Sequence, residues 1–245
     1  RGLTMSSKQP NKLQFMTLGD RQEQPRLEQK YILPGLISKA ANVFVRVAPD
    51  VDALEFATQL SYSVAGGLNF LPFGKAEPVV VAAFFRTHHS RRVEEHFQLF
   101  VEKQQSEACR QRAHENLHYY AKELGGTQQG HLNWATTQDL LDESLPPKCE
   151  LIIHFDAGRV IAQKGPDPMD YRTIAYHLSR LNKAGISVVL FYQGSKRGYD
   201  PLEDELLSDG SNYFMELTHD PGAPREFGGG CNVHRRKASE FDTIP

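Results

Sequence analysis

The chain has 245 residues, 40% hydrophobic and 24% charged, a composition that folds around a core rather than staying disordered. Its 28 Lys and Arg against 30 Asp and Glu leave a formal net charge of -2, which excludes a polycationic nucleic-acid coat but not a local basic patch. The longest apolar run, Pro78 to Phe85, falls far short of the roughly 20 residues that a membrane-spanning helix needs.

Residues 1–30 are polar and aperiodic, with no apolar signal-peptide core. They are expected to form a flexible arm, with Arg1–Thr4 as a candidate vector remnant, ahead of a single α/β domain over 31–245. Asn42–Val47 (NVFVRV) reads as a strand. Pro49 and Asp50 break it, and Asp50 is a candidate helix N-cap. Leu54, Phe56, Ala57, Leu60 and Val64 recur at helical spacing, which predicts an amphipathic helix over Val51–Ala65 stopped by Gly66-Gly67. Pro78–Phe85 (PVVVAAFF) is a continuous apolar run, the signature of a strand covered on both faces in a parallel sheet.

A charged helix or helix pair is predicted from Ser90 to about Leu124, closed by Gly125-Gly126. A loop with Trp134 and a short helix at Gln138–Glu143 follow. Leu151–Phe155 is a strand, Tyr171–Lys183 a helix and Ile186–Tyr192 a second doubly buried strand. Tyr213–Thr218 and Cys231–Lys237 read as later, more polar strands. Strands alternating with helices define a three-layer α/β sandwich around a mostly parallel sheet.

Five stretches resemble the RecA-like helicase ATPases of the RepA type. YILPGLI (Tyr31–Ile37) is similar to the lead-in to that family's first strand, and FATQLSYSVAGG (Phe56–Gly67) to its first helix and Gly-Gly exit. PVVVAAFF resembles the second strand, LIIHFD (Leu151–Asp156) the Walker B strand, and VVLFYQGSK (Val188–Lys196) the strand and polar signature after it. The resemblance implies a P-loop-NTPase-type sheet with a phosphate loop ahead of the first helix.

The departures from that pattern carry the functional expectation. The loop G-x-x-x-x-G-K-[ST] cradles phosphates with its amides and neutralises them with its Lys. Laid over it, VAPDVDAL begins at Val47 and puts Asp50 and Asp52 where glycines are expected. Ala53 then stands in the lysine position and Leu54 in that of the magnesium-binding hydroxyl. Two carboxylates facing a triphosphate add repulsion of about 1 kcal/mol or more per close pair even when solvated. After the second strand the chain reads Arg86-Thr87-His88-His89, where the family carries an acidic residue. Asp156 remains as the Walker B acid and Gln193 as a sensor-like polar group. The expectation is a degenerate nucleotide site with no ATP binding, no catalytic residue and no cofactor.

Other constellations compete with that reading. His114-Glu115-Asn116-Leu117-His118 matches H-E-x-x-H on a predicted helix and would suit a zinc hydrolase. No third ligand is evident, and the neighbours Arg112 and Asn116 are polar, so no metal is expected. Arg86, His88, His89, Arg91 and Arg92 form one basic cluster, Lys196 and Arg197 a second, and His234, Arg235, Arg236 and Lys237 a third. Each is a candidate surface for nucleic acid or a protein partner. Gly228–Gly230 reads as a turn, since no helix follows it. Three cysteines, Cys109, Cys149 and Cys231, without paired spacing, suggest free thiols in a reducing cytoplasm.

The sequence therefore predicts a non-catalytic RecA/RepA-like domain with a regulatory, scaffolding or assembly role, acting through a protein partner or self-association. A nucleic-acid-binding accessory of replication or mobile-element maintenance is the second expectation, and the zinc hydrolase the third.

Overall fold

The computed structural model describes residues 30–48, 51–70, 72–85, 90–104, 106–121, 145–155, 171–193, 212–219 and 231–237. The arm over 1–29, the Trp134 loop and the helix expected at Gln138–Glu143 lie outside the described residues, as does Gly228–Gly230.

The chain enters through two short antiparallel strands, β1 (Tyr31–Leu33) and β2 (Ile37–Ser38). Pro34-Gly35 turns between them. Proline supplies the fixed φ of the first turn position, Gly35 takes φ +70° at the second, and the Leu36 amide donates to the Leu33 carbonyl at 3.1 Å. β3 (Asn42–Val47) follows, then α1 (Leu54–Gly66). A small antiparallel pair, β4 (Asn69–Phe70) and β5 (Gly74–Lys75), leads to β6 (Val80–Phe85). Next come α2 (Ser90–Lys103), α3 (Glu107–Asn116) and β7 (Leu117–Ala121). The described remainder is β8 (Cys149–Phe155), α4 (Tyr171–Lys183), β9 (Ser187–Gln193), β10 (Asn212–His219) and β11 (Cys231–Lys237).

Seven strands form one sheet in the order β11-β10-β3-β9-β8-β6-β7. The six from β10 to β7 run parallel, and β11 closes one edge antiparallel to β10. Strand alternation divides the core. Val43, Val45, Val81, Ala83, Phe85, Leu151, Ile153 and Phe191 face one side with α1, Val93 and Phe97 of α2 and Ala113 of α3. Phe44, Ala82, Ile152, Val188, Leu190 and Phe214 face the other side with Leu178 and Leu181 of α4. Apolar residues at both parities are what made these strands read as unbroken hydrophobic runs, and they produce helix, sheet and helix layers. On the α4 side Phe44 stacks on Phe214 at 5.0 Å with the rings 15° apart, an arrangement worth about 0.5–1.5 kcal/mol beyond area burial. No helix among the described residues is long and apolar enough to cross a membrane.

Two sequence expectations need correction. The first helix starts at Leu54, not Val51, and it is buried around most of its circumference rather than amphipathic. Two of its hydroxyls are absorbed internally, Thr58 donating to the Leu54 carbonyl at 2.8 Å and Ser61 to that of Ala57 at 2.7 Å. Between Ser90 and Ala121 the chain forms two helices and then the strand β7, where helix was expected to run on to about Leu124. The Leu117 amide still closes onto the Ala113 carbonyl, but Leu117 itself is extended, with φ -94° and ψ 111°. From there aromatic Tyr119 and Tyr120 favour pairing beside β6.

Candidate functional site

In a parallel α/β sheet the loops leaving the carboxyl ends of the strands gather at one edge, where ligands are usually bound. The segment from β3 to α1 lies at that edge. Asp50 is outside the described residues, as are Arg86, His88, His89, Asp156, Lys196 and Arg197.

Asp52 turns its carboxylate onto the helix start. Oδ1 accepts from the Leu54 amide at 3.1 Å, which satisfies one of the orphan donors of α1. Oδ2 takes an ion pair from the Arg92 guanidinium on α2. Both side chains are 48% exposed, so this pair is worth no more than about 1 kcal/mol. Ala53 occupies the N-cap position and has no side chain with which to cap. It is 2% exposed, and Leu54 is fully buried in the core. The position matching the phosphate-binding lysine is therefore a small core residue, and that matching the magnesium hydroxyl is a core leucine. Val47, where the matched stretch begins, is buried at the end of β3.

The structure joins two candidates that lie forty residues apart, Asp52 and Arg92. Among the described residues, the basic candidates on α2 and on β11 lie toward opposite ends of the parallel strands. Arg91 is 87% exposed and pairs with Glu95 one turn along α2. Arg235, Arg236 and Lys237 are registered on β11 opposite Met215, Phe214 and Tyr213. Because β11 is antiparallel, that run climbs toward the amino ends of the parallel strands, away from the edge that carries Arg91 and Arg92.

The H-E-x-x-H stretch crosses an element boundary. His114 and Glu115 are exposed near the end of α3, whereas His118 is exposed on β7, so the shared helical face does not form. The polar neighbours have structural partners instead. Arg112 donates to the Gly66 carbonyl at 3.2 Å and Asn116 to that of Ala65 at 3.1 Å, closing the last turn of α1. Sequence reading missed this role, whose only trace was two polar residues at helical spacing, Arg112 and Asn116. Among the described residues no three His, Cys, Asp or Glu side chains gather as metal ligands. Burial pushes the Cys149 thiol up to about 11, partly offset by its backbone hydrogen bonds with Leu151 and Ala82. A thiol held in that state is a poor nucleophile at neutral pH.

No protein-family model matches the chain, and a search of curated proteins gives no match.

Proposed function

We propose that this chain is a non-catalytic α/β domain of the RecA/RepA-like kind, with a degenerate nucleotide site, that serves a regulatory, scaffolding or assembly role through protein contacts. The observation that carries the reading is the start of α1. An anion at a helix N-terminus is held by free amides and positive potential. Here a carboxylate already accepts from the Leu54 amide, and the residues at the lysine and hydroxyl positions are packed in the core. The nearest described guanidinium, that of Arg92, is paired with the same carboxylate. A chain that retains the sheet and the first helix but not the phosphate chemistry keeps its surfaces as its working parts. This last step rests on fold-level analogy.

Calorimetry with ATP and magnesium on the full chain is the direct test. No saturable heat is expected; micromolar binding centred on residues 47–54 would overturn the reading. Affinity purification from the native cell, followed by mass spectrometry, would name the partner. The nucleic-acid reading draws on the exposure of Arg91 and Arg92, yet each has a carboxylate partner, which weakens their pull on phosphates. If that reading holds, binding should fall steeply with salt, and reversing both residues to Glu should weaken it for every sequence alike. The divided H-E-x-x-H stretch lends the zinc hydrolase no support.

A further inference from the structure

A cleft of about 420 Å³ opens between α2, α3 and β7, on the face of the domain that carries α1. Its walls are Phe97 and Val101 of α2, Ala113 of α3 and Leu117 and Tyr119 of β7. The Phe97 and Tyr119 rings meet with centroids 5.0 Å apart at 47°. Tyr62 of α1 also lines the cleft, and its buried hydroxyl has no hydrogen-bond partner among the described residues. This size lies within the range of small-molecule sites, which combine apolar walls with a few polar groups.

The polar groups narrow the ligand. Glu94 lines the cleft as an exposed carboxylate and, among the described residues, has no cationic partner. It lies close enough to Tyr119 for its charge to help burial raise the pKa of that phenol. Among the described lining residues there is no Lys or Arg; Glu94 is the one carboxylate and the exposed His114 the one imidazole, so the fixed charge they present is negative and disfavours phosphates and carboxylates. A wholly apolar ligand would leave the carboxylate unused. An ammonium group would meet the carboxylate beside the Tyr119 and Phe97 rings, while an apolar stem fills the space toward Val101 and Leu117.

We propose that this cleft binds a small organic ammonium, a primary amine on an aryl or alkyl stem. The site is separate from the residues at the head of α1 and stands whether or not the chain binds a nucleotide.

The probe is 2-phenylethylamine, compared by calorimetry with its uncharged near-isostere 2-phenylethanol on the full chain. The amine should saturate, and the alcohol should bind about tenfold more weakly, the size of a single well-placed interaction. Glu94→Gln should bring the two affinities together. Gln98→Trp, at an exposed position lining the cleft, should fill the space and abolish binding of both. Glu95→Gln, one residue along and already paired with Arg91, should leave both affinities unchanged. Equal affinities for amine and alcohol in the native chain, or no saturation by about 10 mM amine, would overturn the proposal. Amine binding untouched by both Glu94→Gln and Gln98→Trp would place the ligand elsewhere and overturn it as well.

Discussion

The two ends of α1 are built on different terms. At its head a single carboxylate oxygen accepts one amide, and an exposed ion pair ties the loop to α2. At its foot the backbone forms a complete Schellman closure, with the Leu68 amide on the Ser63 carbonyl at 2.8 Å and the Gly67 amide on that of Val64 at 3.2 Å. Gly67 supplies the left-handed residue at φ +67°. Arg112 and Asn116 of α3 take the Gly66 and Ala65 carbonyls, and α3 approaches so closely that a Cβ on Gly66 would lie 3.1 Å from the Cys109 carbonyl oxygen. The fold is anchored at the foot. The head, where an ATPase of this architecture would hold phosphate, can change its chemistry at little cost to stability, provided that Ala53 and Leu54 stay apolar.

Ala53→Lys is the severest way to break that contrast. At a site 2% exposed, the added stem must displace core neighbours or bend out to water, which should cost about 2–3 kcal/mol. The urea midpoint should drop accordingly, and calorimetry should still find no ATP binding, because Asp52 keeps the helix amide. Gly67→Ala comes next, at the foot. The left-handed conformation penalises a Cβ, which would also sit 3.2 Å from the Pro78 ring, so a loss of about 2 kcal/mol is expected. Asn116→Ala removes one partly buried hydrogen bond from the end of α1 and should lower stability by about 1 kcal/mol. Asp52→Ala should cost the least, about 0.5–1 kcal/mol, with the Arg92 contribution shrinking as salt is added. A double-mutant cycle between Asp52 and Arg92 that returned more than about 1 kcal/mol would show the head to be a structural tie in its own right.

The legible parts of the fold were those whose pattern comes from burial alone. β3, β6, β8 and β9 sit between two helical layers, so their apolar runs survive with no knowledge of neighbours, and Tyr171–Lys183 shows its helical spacing without interruption. β7 was hidden because its exposed His118, Tyr119 and Tyr120 follow directly on a charged helix, and an edge strand lacks the doubly buried signature. The start of α1 was misjudged by three residues because Val51 carries apolar character into a turn, where its amide donates to the Ala48 carbonyl at 3.0 Å. At the site, residue types alone disclosed that an aspartate could take a helix amide. They could not disclose that Arg92 would meet Asp52, or that Arg112 and Asn116 would serve a different helix, since these contacts span 40 to 51 residues.

The position of β3 sets a timetable for the growing chain. It precedes every other long strand among the described residues, yet both of its neighbours are late: Asn42 is registered with Val188 on one side and with Asn212 on the other. At about 5–20 residues per second, an emerging NVFVRV segment waits on the order of ten seconds or more before β9 can pair with it. Until then α1 can cover only one of its faces, and both hydrogen-bonding edges stay open. Chains truncated ahead of Ser187 would keep that strand exposed permanently, so synthesis that stalls in the middle third should yield aggregates rather than a smaller folded domain.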